Sequence, residues 1–262
     1  MENDNNRQLG TLYLIPNTLG NENRQVQIPS VLPQASIEQA ARLQYWIVEN
    51  AKTARAFLKE IHLYQPLSHS LQSLIMNEWR GEERNAKFKD QSQARDLLKP
   101  LLDGKDVGLM SEAGVPGVAD PGADIILAAH ALGAKVKPLI GPSSILLGLM
   151  ASGLNGQRFC FHGYIPVDQN ERQKKLKQLE QNSHQLQETQ IWIETPYRNQ
   201  AMLEACLQIL KPKTKLCVAV HLSLADETIW TASIEEWKKR YPNPKASEGL
   251  LHNRPAIFLM LA

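Results

Sequence analysis

The chain has 262 residues, enough for two domains of moderate size that each bury a substantial core. Its formal net charge of +2 is small for this length, so the overall charge gives no sign of a nucleic-acid partner. The first eight residues are polar, and no apolar run reaches the ~18 residues that a membrane span requires. We therefore expect neither a signal peptide nor a membrane anchor.

Three cysteines, Cys160, Cys206 and Cys217, lie in or beside apolar runs. Their number is odd, they show no CxxC spacing, and no histidines cluster with them. This pattern predicts buried, reduced thiols and argues against a disulfide framework or a metal site. We expect a cytoplasmic protein without a bound metal.

In the first half of the chain, short apolar segments alternate with amphipathic ones. The pattern predicts strands over residues 11–15, 45–48, 107–110 and 135–140, and helices over residues 36–43, 53–61, 92–102 and 123–132. Residues 63–90 are polar and irregular apart from 71–79, and they receive no assignment. Strands that alternate with helices in this way predict a parallel sheet with crossover helices.

The segment SEAGVPGVADPG, residues 111–122, separates a predicted strand from a predicted helix. A strand, a loop of small residues and a helix together form the ligand site of many α/β proteins, because the loop backbone can approach a bound molecule closely. Neither GxGxxG nor GxxxxGK[ST] is present, which argues against a nicotinamide or nucleoside-triphosphate site. The loop therefore predicts a site for another small molecule.

A second α/β unit follows a helix predicted over residues 145–151. Its predicted strands cover residues 158–164, 190–193, 215–221 and 256–261, and its predicted helices cover residues 171–181, 199–210 and 233–239. We expect an α/β fold of two domains, residues 10–140 and 141–262, after a disordered tail at residues 1–9. Each domain should contain a mainly parallel or mixed sheet flanked by helices.

Four segments, read in order, carry a resemblance to a known family: IPNTLGN at 15–21, SEAGVPGVADPG at 111–122, PLIGPSS at 138–144 and RFCFHGYIP at 158–166. Together they resemble the tetrapyrrole methylase superfamily, and within it the bacterial enzymes that methylate a ribose 2′-hydroxyl of small-subunit ribosomal RNA. The resemblance runs from Gly10 over nearly the whole chain. It implies S-adenosylmethionine in a cleft between two α/β domains, and a homodimer.

The resemblance also implies which residues contact the cofactor. They are Pro16, Ala113, Gly114, Val115, Val118, Asp120, Ser143, Ser144, Glu194, His221, Pro255 and Ala256. Simpler roles stay open for some of them. Gly114, like Gly122, suits a turn with positive φ, Asp120 suits a cap for the following helix, and Ser143 and Ser144 suit N-caps.

The acceptor side departs from the family pattern. Ribose methylases of the family show Glu-Asp-Thr-Arg where this chain has Glu49-Asn50-Ala51-Lys52, and an Arg-Glu pair where it has His221-Leu222. Lysine in place of arginine removes a bidentate donor. Glu49 and Lys52 are our candidates for positioning or activating a hydroxyl acceptor, with His162 third. The alternatives are a Glu49–Lys52 surface pair and a hydrogen-bonded His162 beside the core.

One predicted helix carries four positive charges, which suit either phosphate contacts with ribosomal RNA or a solvated face. These residues are Arg172, Lys174, Lys175 and Lys177. The sequence favours a methyltransferase that acts on ribosomal RNA in the small subunit. Two alternatives stay open: a tetrapyrrole C-methyltransferase, and a protein that binds S-adenosylmethionine without catalysis.

Overall fold

The computed structural model describes residues 8–20, 22–80, 91–242 and 248–262. The chain divides into two compact units, Met1–Pro142 and Ser143–Ala262. Each unit contains one five-stranded sheet with helices against it. The predicted α/β class is confirmed.

In the first unit, strands and helices alternate along the chain. The strands are β1 (Thr11–Leu14), β2 (Tyr45–Val48), β3 (Ile75–Glu78), β4 (Val107–Met110) and β5 (Lys135–Pro138), and the helices are α1 (Arg24–Val31), α2 (Gln34–Arg42), α3 (Ala51–Ile61), α4 (Gln91–Leu97), α5 (Lys99–Leu102) and α6 (Gly122–Ala131).

All strands of the first sheet are parallel, in the order β3-β2-β4-β1-β5. The side chains of each strand alternate between two apolar layers. Trp46 and Val48 of β2 face a layer formed with α1, α2 and α3, whereas Ile47 faces a layer formed with α4, α5 and α6. Both faces of the inner strands β2 and β4 are covered, so these strands are apolar, whereas the edge strands β3 and β5 carry polar residues. Because the strands are parallel, their carboxyl ends meet at one edge of the sheet.

Local chemistry explains where the structure differs from the predicted elements. The predicted helix over 92–102 is divided into α4 and α5, because Pro100 has no N–H to continue the helical ladder. Helix α1, which contains Pro29, and strand β3 were not predicted. Part of the unassigned segment 63–90 forms β3, while residues 81–90 lie outside the described residues.

The second unit begins with a helix and then alternates strands with helices. Its strands are β6 (Phe159–Tyr164), β7 (Thr189–Glu194), β8 (Lys215–Val220), β9 (Thr228–Ser233) and β10 (Ala256–Leu261), and its helices are α7 (Ser144–Ser152), α8 (Gln169–Leu186), α9 (Asn199–Ile209), α10 (Ile234–Arg240) and α11 (Glu248–Leu251), with a 3₁₀ turn at Pro196–Arg198.

The second sheet is mixed, in the order β6-β7-β10-β8-β9, and only β6 and β7 run parallel. One face, which includes Phe258 and Met260 of β10, packs against α8, α9, α10 and α11. On the other face, Gly148 of α7 lies so close to Ile257 and Leu259 that an added Cβ would come to 3.0 and 3.4 Å from their side chains. A glycine therefore lets α7 lie directly on the sheet.

The predicted tail covers residues 1–9, of which residues 1–7 lie outside the described residues. Leu9 packs against the core of the first unit, and Gly10 N–H donates to Leu101 O at 2.9 Å. Among the helices of the described ranges, none combines the length and the hydropathy needed to cross a membrane.

Candidate functional site

The loops that follow β1, β2 and β4 meet at the carboxyl edge of the first sheet. Ile15 N–H donates to Leu109 O at 2.8 Å, which continues the pairing of β1 with β4 up to the point where both loops begin. Ligands of parallel α/β sheets bind at this edge. The geometry therefore places one candidate site within the first unit.

Asn17 joins the loop after β1 to the loop after β4. Its side-chain Nδ2 donates to Ser111 O at 3.1 Å and to Glu112 O at 3.0 Å, and its backbone N–H donates to Gly114 O at 2.8 Å. In return, Gly114 N–H donates to Thr18 O at 3.2 Å. Since Asn17 and Thr18 are buried, these bonds fix both loops in one arrangement.

Gly114 has a backbone conformation at this junction that favours glycine. Its φ is +70°, and an added Cβ would come to 3.4 Å from both Leu19 Cδ2 and Pro142 O. The predicted turn role of Gly114 therefore agrees with its geometry. Gly122 is different, because it is the first residue of α6 and has no positive φ, so the predicted turn at Gly122 is wrong.

Glu49 holds the loop after β4 from the β2 side. Its carboxylate Oε1 accepts the backbone N–H of Glu112 at 2.9 Å, and the carboxylate of Glu112 accepts the Thr53 hydroxyl at 2.5 Å. Burial raises the pKa of Glu49, and the charges of Asp120 and Glu112 raise it further, while the bond from Glu112 N–H opposes them. The carboxylates thus give this edge a negative potential.

Asp120 closes the far end of the same loop. Its carboxylate accepts the N–H of Gly117 at 2.7 Å and that of Gly122 at 2.6 Å, so it holds the turn that leads into α6. Burial raises the pKa of Asp120, although bonds from these backbone N–H groups oppose the shift. This agrees with the alternative reading of Asp120 as a residue that caps the next helix.

A small cavity of about 10 Å³, room for roughly one water molecule, lies beside Glu49 and Asp120. Trp79 forms part of its wall and donates from Nε1 to Pro121 O at 3.0 Å. The exposed faces of the loop are apolar and small: Ala113 is exposed and Val118 is 44% exposed. Pro16, in the loop after β1, is buried.

Lys52 does not pair with Glu49. The first turn of α3 is capped by Asn50, whose side chain accepts the N–H groups of Lys52 and Thr53, and the Lys52 side chain is exposed. No ion pair joins Glu49 to Lys52 in the described part of the chain. The alternative of a Glu49–Lys52 surface pair is therefore wrong.

In the second unit, the candidate residues lie at the ends of β7, β8 and β10. Glu194 is buried, and its carboxylate accepts Thr195 N–H at 2.8 Å and the guanidinium of Arg198. His221 donates its backbone N–H to Pro255 O at 3.0 Å, while Ala256 pairs with Glu194 on one side and with Val220 on the other. Adjacent positions in one sheet thus bring Glu194, His221, Pro255 and Ala256 together.

Two further predicted groups lie elsewhere in the second unit. Ser143 holds the N-cap position of α7 without a side-chain bond to the helix, and Ser144 is the first helical residue. His162 of β6 bonds through Nε2 to Gln190 Oε1 at 2.7 Å, and burial lowers its pKa. His162 therefore matches its alternative reading, a hydrogen-bonded histidine beside the core.

A family model described as Tetrapyrrole (Corrin/Porphyrin) Methylases matches residues 37–238. The chain belongs to this family. The sequence-based recognition of the superfamily is thereby confirmed.

Two curated relatives of this tetrapyrrole methylase carry the same printed name. The protein of Vibrio cholerae, "Ribosomal RNA small subunit methyltransferase I", is 32% identical over 165 residues, which cover 62% of this chain and 56% of the relative. The protein of the same name from Bacillus subtilis is 29% identical over 202 residues, 77% of this chain and 60% of the relative. The matches thus span less than two thirds of either relative.

Two solved structures share the fold. A cobalamin synthesis related protein from Corynebacterium diphtheriae superimposes with a TM-score of 0.56 at 11% identity, covering 97% of this chain and 98% of that one. Cobalt precorrin-4 methyltransferase gives 0.53 at 12% identity, covering 96% and 94%. At these identities the likeness concerns the fold alone.

The first-unit site suits S-adenosylmethionine by its chemistry. The cofactor carries a positive sulfonium, and the charges of Asp120 and Glu112 lie close enough to Glu49 to raise its pKa. Within the described ranges, no group of three His, Cys, Asp or Glu residues is arranged to hold a metal ion.

Sequence reasoning missed the residues that hold the loops in place. Asn17, Thr53 and Trp79 form the bonds that fix the edge, and Arg198 and Asp226 do so in the second unit. Asn17 stood in a motif noted for its resemblance, and an Asn directly after a strand is itself a turn signal. Thr53, Trp79 and Asp226 carry no such local signal, because their partners are distant in sequence or in a loop of unknown shape.

The raised pKa of Glu49 predicts a pH dependence of stability. A raised carboxyl pKa means that the folded state holds the proton more tightly, so wild-type stability falls as pH rises from about 4 toward the folded pKa. Glutamine keeps the acceptor for Glu112 N–H but does not titrate. Urea unfolding from pH 3.5 to 7 should therefore show Glu49→Gln gaining stability relative to wild type as pH rises.

The exposed carboxylate Glu22 supplies the control, as Glu22→Gln alters no described contact of its side chain. A difference between Glu49→Gln and wild type that stays flat across this range, or that changes in the opposite direction, would contradict the burial of Glu49.

Proposed function

We propose that this protein is an S-adenosylmethionine-dependent methyltransferase that acts on a ribose 2′-hydroxyl of small-subunit ribosomal RNA. The observation that carries the proposal is the pair of loops fixed by Asn17 at the carboxyl edge of the parallel sheet. A rigid loop of small residues at that edge is suited to a small ligand held by backbone groups. The printed name of the relatives supports small-subunit ribosomal RNA as the molecule that is methylated.

We also keep the predicted cofactor contacts as part of this proposal. Small or apolar side chains around the loop after β4 would line the adenosine and methionine parts of S-adenosylmethionine. The carboxylates of Glu49, Glu112 and Asp120 would lie near its positive sulfonium. The contacts proposed are Pro16, Ala113, Gly114, Val115, Val118, Asp120, Ser143, Ser144, Glu194, His221, Pro255 and Ala256.

In such a reaction the bound cofactor supplies an activated methyl group, and the protein contributes mainly alignment. Positioning of two reactants contributes up to about 7–11 kcal/mol in favourable cases. Glu49 holds the loop through Glu112 N–H, and Lys52 next to it has an exposed ammonium that is free to reach a hydroxyl or phosphate. We propose both as residues that position the acceptor.

Helix α8 is proposed to contact phosphates of the RNA. Lys174 and Lys177 are exposed and Lys175 is half-buried, and none of the three forms an ion pair within the described ranges. Arg172 is partly engaged, since its guanidinium donates to Val167 O at 3.3 Å. Each phosphate contact would add to the salt dependence of binding.

A homodimer in the cytoplasm completes the proposal. Leu146 and Met150 lie one turn apart on α7 and are 54% and 79% exposed, an apolar face suited to contact with a second copy. The cysteines of the described residues are all free, which suits a reducing compartment.

The direct test uses purified protein, methyl-labelled S-adenosylmethionine and small ribosomal subunits that lack their native methylation. We expect label in the RNA, at a nucleotide whose 3′ linkage has become resistant to alkali because its 2′-oxygen is methylated. Cofactor binding should be measured in parallel by calorimetry. Binding without transfer to the subunits would favour a protein that binds the cofactor without catalysis.

Methylation of a tetrapyrrole carbon is the second candidate, because the family includes such enzymes by its description. Its polycarboxylate substrates require several cations, whereas the first-unit edge presents Glu49, Glu112 and Asp120. Transfer of label to a precorrin-like macrocycle, with none to RNA, would replace the proposed function by this one.

A further inference from the structure

The chain reverses direction sharply after β8. His221 has φ of 52° and Ser223 has φ of 69°, and both are non-glycine residues in the left-handed region. Ser223 N–H donates to Glu227 Oε2 at 2.7 Å, and His221 N–H donates to Pro255 O, so the backbone is held in this unfavourable form from two sides. Such strain persists where the surrounding structure imposes it, and it is concentrated at functional sites.

The strained turn fixes the imidazole of His221 against a carboxylate. Nδ1 of His221 lies 3.0 and 2.9 Å from the two carboxylate oxygens of Asp226, and Arg254 holds the same carboxylate at 3.4 Å. The bond from His221 lowers the pKa of Asp226, so the carboxylate is ionised and can only accept. Nδ1 must therefore carry the proton of the neutral ring, which leaves Nε2 with a free lone pair.

Nε2 is the one group of His221 left for a ligand. The backbone N–H is engaged by Pro255 O, Nδ1 is engaged by Asp226, and Nε2 has no hydrogen-bond partner among the described residues. The charged groups in contact with this turn are Asp226 and Glu227 from its own loop and Arg254 from the segment before β10. Of these, Asp226 contacts the ring.

We propose that Nε2 of His221 is the proton acceptor for the substrate hydroxyl, with Asp226 as the residue that positions it; this proposal rests on the proposed function. The hydroxyl O–H bond breaks and its proton goes to Nε2. The oxygen forms the new bond to the methyl carbon, and the electron pair of the broken carbon–sulfur bond stays on sulfur, which becomes a neutral thioether. A carboxylate behind an imidazole orients it and stabilises the cation that forms.

Glu49 is less suited to the same task. Its carboxylate already accepts Glu112 N–H at 2.9 Å, so taking a substrate proton would weaken the bond that holds the loop. The histidine, in contrast, can be protonated without losing a bond, because Nδ1–H stays on Asp226 in both states. His221 also stands where the ribose methylases of this family show arginine, so a base here is a feature of this chain.

The test compares His221→Gln and Asp226→Asn with wild type. Methyl transfer to small ribosomal subunits is measured under single-turnover conditions from pH 5.5 to 9, cofactor affinity by calorimetry, and folding by thermal unfolding. For wild type we expect the rate to rise with pH, because only an imidazole without a proton on Nε2 can accept the substrate proton. His221→Gln should lower the rate at pH 8 by about 10²–10⁴-fold and remove this rise.

Asp226→Asn provides the readout that a purely structural role would not give. Without the carboxylate the imidazolium is less stable, so the midpoint of the rate profile should move to lower pH while the maximal rate falls. Because His221 is also a proposed cofactor contact, the rates are compared with the cofactor saturating, and cofactor affinity should stay within about threefold of wild type in Asp226→Asn. His130→Gln in the last turn of α6 and Asp103→Asn after α5 are exposed matched controls and should keep the wild-type rate and profile.

The outcomes separate the two proposals. No methyl transfer by wild type would overturn the proposed function and this inference with it. Transfer by wild type together with an unchanged rate or an unchanged pH profile in His221→Gln would overturn the inference alone. A loss of rate in His221→Gln that a saturating concentration of cofactor restores would also overturn it, since His221 would then act only as a cofactor contact.

Discussion

Asn17→Ala is expected to lower the free energy of unfolding by about 3 kcal/mol and to weaken cofactor binding at least tenfold. The change removes two donated bonds, from Nδ2 to Ser111 O and to Glu112 O, and the acceptor that Oδ1 offers to Thr18 N–H at 2.9 Å. Asn17 is 1% exposed, so water cannot take over these bonds freely. Each buried polar group left without a partner costs about 1–3 kcal/mol.

Urea unfolding and calorimetry with the cofactor test this expectation. Asn170→Ala, at an exposed position of α8, is the matched control and should change stability by no more than about 0.5 kcal/mol. Asn17→Asp separates donor from acceptor, because it keeps an acceptor for Thr18 but turns a carboxylate toward two carbonyl oxygens. If Asn17→Asp were as stable as wild type, the donated bonds would not be what joins the two loops.

The order of strands and helices could be read from the sequence wherever one face of an element is apolar. The predicted bounds of β2 and β4 agree with the structure, and α3 and α9 differ only at their ends, because their buried residues recur with a clear period. Helix α1 was missed because its buried side includes the polar residues Arg24 and Gln27, which give no apolar stripe.

Strand β9 was missed for a related reason. It lies at the edge of the second sheet and pairs only with β8, so its residues are half-buried and its pattern is weak. The antiparallel pairing of β10 between β7 and β8 was also beyond the sequence, since no local feature fixes which strand a distant segment will join. The prediction of a mainly parallel or mixed sheet left this choice open.

The candidate site could be predicted as a set of loops but not as a network of bonds. The small residues of the segment 111–122 indicate that the backbone there can approach a ligand closely. The side-chain bonds of Asn17, Thr53 and Glu49, in contrast, connect residues that are 59 to 95 positions apart in the sequence. Long-range partners of this kind depend on the register of the sheet. Only the folded edge shows that Glu49 anchors a loop.

Gly141→Ala has the second large expected effect. An added Cβ would lie 2.1 Å from Pro16 Cβ and 2.5 Å from Pro16 Cγ, far inside the 3.5–4.0 Å that carbon atoms prefer. The ring of Pro16 is fixed to the backbone and cannot rotate away, so the loop after β1 must shift. We expect a loss of about 3 kcal/mol in the free energy of unfolding, together with weaker cofactor binding.

A double variant identifies the cause. Pro16→Gly removes both clashing carbon atoms, so Gly141→Ala should cost roughly 1–3 kcal/mol less in that background than in wild type, as measured by urea unfolding. Gly156→Ala is the control, since an added Cβ there meets nothing within 4 Å. The double variant should still bind the cofactor weakly, because it lacks the proline ring that is proposed to contact the ligand. If the double variant regains stability but still binds the cofactor weakly, Pro16 is both the residue that clashes with the added Cβ and a contact of the cofactor. If the two substitutions change the free energy of unfolding additively, the predicted clash is contradicted.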